Sequence, residues 1–320
     1  MTTFNFFGGK GGVGKTTVSA AYGLKCVRNG LETLVVSTDP AHSTSDVFDQ
    51  EFDDRPRPVA GYEGLHAMEL DPEEEVDAHL SELRTQLGQQ LSPAMVNEIS
   101  MQLEMAHQTP GAYEAALFDR FVEVMQNAEE YDRVVFDTSP TGGTLRLLAL
   151  PEYLEQWIEH LLHKRKKSIE YYERAAIGDQ QARKMLDGDP IIARLQERKE
   201  TFEFAGETLR NDSRFTIVLN PDDLSIRESE RALAEFSEAD LPVAGLVVNK
   251  LTPEPDPDET GRGGTFLRDR VETEKRRLEE IRTSLDPPVV AEIETRVREV
   301  KGSLLEEVAD EIALETKPSA

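Results

Sequence analysis

Six short runs rich in β-branched and aromatic residues recur along the chain, at 3–7, 33–37, 133–136, 215–219, 243–248 and 289–293. Each is nearly continuous in apolar character, the pattern of a strand buried on both faces of a parallel sheet. Between them apolar residues return at helical spacing: after the first run, Val18, Ala21, Tyr22, Leu24 and Cys26 make one face. Strands that alternate with helices predict βαβ units, an α/β fold with a mostly parallel twisted sheet, and ligands bound beyond the strand carboxyl ends. Functional residues are therefore expected just after each run.

Two long helical stretches interrupt this alternation, 72–127 and 151–209. They predict an α-helical subdomain built from two insertions, leaving 1–71, 128–150 and 210–320 as the α/β domain. In the first insertion Val76, Leu80, Leu83, Leu87 and Leu91 fall at helical spacing, and Ser92-Pro93 offers an N-cap and a first-turn proline. The helix that follows carries Met95, Val96, Ile99, Met101, Leu103, Met105 and Ala106, more of the circumference than one core-facing stripe needs. It reads either as a helix buried on both sides or as a pliable apolar groove, since methionine adapts to varied surfaces. The second insertion adds Leu154, Trp157, Ile158, Leu161 and Leu162, followed by four adjacent cations, 164–167, that read as a solvated face or a cap on nearby carboxylates, with contact to an acidic partner or a lipid headgroup as the alternative. Residues 252–264, rich in proline, acid and glycine, predict a mobile surface loop leading into a densely charged helix over 266–285.

Charge narrows the partners. With 62 Asp and Glu against 36 Lys and Arg, the net charge is −26, which argues against nucleic acid and against docking on anionic lipid. The acidity is spread over the whole chain, and 24 Arg outnumber 12 Lys. That pattern points to a host with a salt-rich interior. The single cysteine, Cys26, excludes an intramolecular disulfide and a multi-cysteine metal site within one chain. No signal peptide and no apolar stretch near membrane-spanning length is present, so a cytoplasmic location is expected.

The first strand runs into Gly9-Lys10-Gly11-Gly12-Val13-Gly14-Lys15-Thr16-Thr17. Gly9, Gly14, Lys15 and Thr16 satisfy the spacing of a phosphate-binding loop between a strand and a helix. Its backbone N–H groups converge on phosphate, Lys15 reaches the β and γ phosphates, and the Thr16 hydroxyl ligates Mg²⁺. After the second strand Asp39 is placed to orient a nucleophilic water at the γ phosphate; a turn-initiating Asp-Pro is its alternative reading. After the third, Asp137 ends an apolar run as a Walker B carboxylate that holds Mg²⁺, directly or through water. Asn249, after the fifth, reads as an amide for a purine edge or as a cap.

Several segments together resemble one family, the arsenite-pump (ArsA) and tail-anchored-protein targeting (Get/TRC) ATPases. They are GGKGGVGKTT at 8–17, STDPAHSTSDVF at 37–48, PGAYEA at 110–115, DTSPTGGTLRLL at 137–148, LVVNKL at 246–251 and EVKG at 299–302. The resemblance implies a P-loop NTPase that hydrolyses ATP with Mg²⁺. It also implies a homodimer in which Lys10 reaches the partner's nucleotide, and gives Asp39 the water-orienting role, Asp137 a switch, Asn249 adenine contact and Asp222 a place near the nucleotide. The arsenite-pump members use several cysteines, which this chain lacks, and the Cys-x-x-Cys of zinc-bridged members is replaced by glycine and arginine around 261–264, so no zinc is expected. The implied function is an ATP-driven carrier that shields the hydrophobic transmembrane segment of client proteins, with a membrane receptor as a further partner. Met95, Ile99, Met101, Leu103, Met105, Trp157 and Leu161 are the groove candidates. A regulatory or partitioning ATPase acting on a protein or membrane surface is the alternative, and an arsenite efflux subunit a weaker one.

Overall fold

The computed structural model describes residues 2–38, 43–70, 112–138, 159–160, 162–164, 167 and 190–312. Eight strands form one sheet: β1 (Thr3–Gly8), β2 (Thr33–Ser37), β3 (Arg57–Pro58), β4 (Leu65–Glu69), β5 (Arg133–Asp137), β6 (Ser213–Leu219), β7 (Val243–Leu251) and β8 (Val289–Glu294). Their order is β3-β4-β2-β5-β1-β6-β7-β8, and every pairing is parallel except the exposed β3 against β4. The sheet grows from β1 in both directions, so the carboxyl end of β1 lies where connections diverge and a ligand crevice opens.

The seven described helices are α1 (Lys15–Arg28), α2 (Ser43–Phe48), α3 (Ala112–Gln126), α4 (Pro190–Asn211), α5 (Asp223–Glu238), α6 (Arg262–Ser284) and α7 (Ser303–Glu311). One sheet face is built on aromatic register. Phe6 of β1 is paired with Phe136 of β5 and Phe215 of β6, and its ring stacks on both, with centroids 4.6 and 4.8 Å apart. Phe121 of α3 meets Phe6 and Phe136 edge-on, and Phe236 of α5 covers Phe215. On the opposite face Phe7 meets Tyr22 of α1, and Val18, Ala21 and Leu24 pack with Val35, Leu65 and Ala67. α7 closes this side, with Leu305, Val308 and Ile312 in the same core.

Three features differ from the sequence expectation or refine it. β3 and β4 had no counterpart among the predicted runs, because β4 reads Leu-His-Ala-Met-Glu, with His66 and Glu69 interrupting the apolar pattern. α3 lies within the stretch 72–127 expected in the helical insertion, yet its buried Leu117, Phe118, Phe121 and Val122 belong with the sheet. The compact units are accordingly 1–145 with 212–320, and 146–211. The segment after β7, expected to be mobile, is tied to α6: the buried Glu274 carboxylate accepts from Thr252 N–H at 2.6 Å and Thr252 Oγ1 at 2.9 Å. Arg268 donates to Glu259 O, and Lys275 pairs with Glu254.

In the second unit, α4 opens on Pro190, whose missing N–H costs nothing at a first helical position. Lys199 bridges Glu159 at 2.8 Å and Glu203 at 3.1 Å, and these two carboxylates raise its pKa. Arg198 lies over the Phe202 ring. No helix among the described residues is long and apolar enough to cross a membrane.

Candidate nucleotide site

The loop from Gly9 to Gly14 follows the central strand and is shaped by close approaches. At Gly9 (φ 143°) a Cβ would stand 2.1 Å from the Val218 carbonyl oxygen of β6. At Gly14 (φ 97°) it would stand 2.4 Å from Asn249 Nδ2. Neither position admits a side chain, for reasons of both space and backbone angle. Gly11 and Gly12 face solvent, while Val13 is buried in the core beneath the loop.

α1 begins at Lys15 with no side-chain cap and no acidic residue in its first turn. Its orphan N–H groups and positive dipole end are thus left for an anion. Lys15 is nearly buried, and its ammonium bends back to the Lys10 carbonyl oxygen at 3.4 Å. Thr17, half-buried, is the third residue of the helix. Thr16 Oγ1 donates to Asp137 Oδ2 at 2.5 Å, joining the helix to the last residue of β5. That carboxylate is 1 % exposed. A hydroxyl and a buried carboxylate set against each other are the hard oxygen donors that Mg²⁺ prefers, so these residues fit the ion.

The neighbouring strand ends are knitted to Asp137. Thr38 donates to the Asp137 carbonyl from its N–H at 3.1 Å and from Oγ1 at 3.2 Å, and Thr138 Oγ1 donates to Phe7 O at 3.0 Å. Asp39 itself lies outside the described residues, immediately beyond Thr38. So do Met95, Ile99, Met101, Leu103, Met105, Trp157 and Leu161.

Lys10 does not join its own cradle by its side chain. Its ammonium, a third exposed, stands 3.9 Å from Glu228 Oε2 on α5. Asp222 caps α5, accepting from Ser225 N–H at 2.9 Å, at the same sheet edge as the loop. Asn249 is buried at the end of β7; its Nδ2 donates to Val13 O at 2.7 Å and its Oδ1 accepts from Lys250 N–H. Lys250 was not among the expected site residues, although its ammonium donates to Gly12 O at 2.6 Å. Its only signal in the sequence is adjacency to Asn249. Cys26 is fully buried in α1, and burial pushes its thiol up to about 11.

Residues 2–314 match the profile of the anion-transporting ATPase (ArsA) family. The chain belongs to that family. An arsenical pump-driving ATPase of Aquifex aeolicus, so named provisionally, is 34% identical over 281 residues, covering 86% of this chain and 87% of its own. An ATPase named get3 from Pyrenophora tritici-repentis is 30% identical over 301 residues, 93% of this chain and 86% of its own. A provisionally named arsenical pump-driving ATPase of Halobacterium salinarum is 34% identical over 255 residues, 79% of this chain but 35% of its own. As a member of the ArsA family, with an eight-stranded, mostly parallel sheet of the P-loop NTPase kind, the chain is an ATP-hydrolysing enzyme.

Proposed function

We propose that the chain is an ATP-driven homodimeric carrier that shields hydrophobic transmembrane segments of tail-anchored client proteins. The observation that carries this reading is the division of labour between two lysines. Lys15 bends over its own loop, whereas Lys10, in the same loop, turns its ammonium outward to Glu228. A cation that the one-chain cradle does not use is available to a second copy's nucleotide.

In the proposed cycle the loop N–H groups and the α1 N-terminus hold the β and γ phosphates, with Lys15 neutralising their charge. Thr16 and Asp137 would hold Mg²⁺, which when bound neutralises charge developing between the β and γ oxygens. Asp39 orients the attacking water. Asp222 and Asn249 flank the nucleoside end. Thr38 and Thr138, bonded to Asp137 O and Phe7 O, give the segments beyond β2 and β5 a common anchor through which loss of the γ phosphate is felt by both. ATP closes the dimer and assembles the apolar client groove; hydrolysis opens it.

A metalloid-efflux role is disfavoured by Cys26. It is the chain's single cysteine and is fully buried in α1, whereas a metalloid site needs several thiols converging on one ion. The test of the carrier reading is to purify Asp39→Asn with ATP from the native host and to identify co-purifying polypeptides. Proteins bearing a single apolar segment of about 20 residues are expected. Their absence, or unchanged capture of an aggregation-prone client by the Met95→Asp, Met101→Asp double variant, overturns it.

A further inference from the structure

Lys250 is the one residue of β7 that takes a left-handed backbone conformation, φ 62°. Glycine adopts that conformation freely, whereas a residue with a Cβ does so at a cost. The distortion is local: the pairing of β7 with β8 shifts register between Val248 and Leu251. Its effect is to swing the Lys250 side chain back toward the phosphate loop, 238 residues away in the chain, where Nζ meets Gly12 O at 2.6 Å. The preceding residue, Asn249, takes the next loop carbonyl, Val13 O, at 2.7 Å. Two consecutive residues of β7 thus hold two consecutive carbonyls of the loop.

The direction of those carbonyls decides the direction of the loop's donors. In a trans peptide C=O and N–H point oppositely, so drawing the Gly12 and Val13 oxygens toward β7 turns the N–H groups of Val13 and Gly14 the other way. The Val13 N–H accordingly faces Lys10 O, at 3.5 Å. That is the same oxygen that the Lys15 ammonium approaches at 3.4 Å. The hollow defined by Lys15, and by the donors set opposite to β7, is where a phosphate chain would sit. Gly11 and Gly12 are exposed and have no Cβ to resist a peptide flip, so the loop needs an external hold to keep its donors aimed.

We propose that Lys250 is a positioning residue for nucleotide binding at the phosphate loop. It acts through the Gly12–Val13 peptide, holding the loop's N–H groups toward the β phosphate, and the strain at φ 62° is sustained by the charge-assisted bond at the end of its side chain. The proposal rests on nucleotide binding at the loop and is independent of what the protein carries.

The experiment compares Lys250→Gly, Lys250→Met and Lys250→Arg in the full chain, measuring ADP and AMP binding by calorimetry, ATP turnover, and melting temperature. Glycine removes the tether and the strain together, so Lys250→Gly should melt no lower than the parent while binding ADP about five- to tenfold more weakly. AMP, which has no β phosphate, should bind with unchanged affinity. KM for ATP should rise by the same factor as the ADP dissociation constant, with kcat changed less than about twofold. Lys250→Met should reproduce the binding loss, and Lys250→Arg should restore it. Parental ADP affinity and KM in Lys250→Gly overturn the proposal, as does an equal weakening of ADP and AMP accompanied by a lower melting temperature. Absence of ATP binding by the parent chain would instead refute the nucleotide site itself.

Discussion

Gly14 is constrained from two directions, and the two can be separated. Its φ of 97° opposes any Cβ, and Asn249 Nδ2 would stand 2.4 Å from one. Gly14→Ala should therefore abolish measurable ATP binding and destabilise the fold by about 2–3 kcal/mol. Adding Asn249→Ala relieves the contact but not the angle and itself removes the bond to Val13 O, so the double variant should lose less stability than the sum of the two single variants and regain none of the affinity, as read by denaturant titration and nucleotide binding. Cys26 yields a pH prediction. Its thiol loses its proton near 9 in the unfolded chain and only near 11 in the folded one. Unfolding therefore releases a proton between those values, and the thiol's contribution is intact below about 9 and lost as pH rises to about 11. At 1.36 kcal/mol per unit the loss is about 2–3 kcal/mol. Cys26→Ala should lessen the slope between about 9 and 10, below the range in which the phenols of Tyr22 and Tyr131, also raised by burial, add slopes of their own, and an equal slope in both proteins there would refute the assignment. The placing of Lys15 and Thr16 at the start of α1 was legible because their spacing on a strand–loop–helix frame is fixed, and that of Asp137 because it ends an apolar strand run. Lys250 was not, since its importance depends on one backbone angle and on a partner 238 residues away.

Elements were legible where one kind of packing determined them. The six apolar runs all form strands: in β1, β2, β5 and β6 burial on both sheet faces leaves a continuous apolar signature, whereas the edge strand β8 carries an exposed Glu292 among its apolar residues. β4 escaped because it is held by register with β2, Leu34 opposite His66 and Val36 opposite Met68, which no local pattern encodes. The segment beyond β7 escaped for the opposite reason. Its composition is that of a free loop, but one acid from the following helix fastens it. Glu274 is 7 % exposed and accepts bonds from Thr252 N–H and Oγ1, with Arg270 Nε at 2.8 Å as its charge partner. Glu274→Ala should cost about 1–3 kcal/mol, the range for leaving a buried donor unmade. Limited proteolysis should then cut within 252–261 several times faster than in the parent, whereas Glu254→Ala, which breaks only an exposed ion pair, should leave both rates alike. Equal cleavage of the Glu274→Ala variant and the parent would show that the segment is held by something else.

At the scale of the whole molecule, charge sets the conditions under which this fold is stable. Even if every one of the 36 cations neutralised one acid, 26 of the 62 carboxylates would remain uncompensated, and their mutual repulsion opposes the compact state. Salt acts on two opposing terms. It weakens exposed pairs such as Arg28 with Glu306 and Asp310, which bind α1 to α7, but pairs of that kind are worth less than about 1 kcal/mol each. It also screens the repulsion, whose range falls from about 30 Å in hundredth-molar salt to about 3 Å in molar salt. The second term is summed over the entire surface and should win, all the more because the core beneath α7, with Leu305, Val308 and Ile312 buried, does not depend on those pairs. The melting temperature should therefore rise by more than about 5 °C between dilute buffer and molar KCl. Arg28→Ala should lower it measurably only at the dilute end. A protein that melts higher in dilute buffer would show that its ion pairs outweigh its net charge, and would remove the inference that the chain is built for a salt-rich interior.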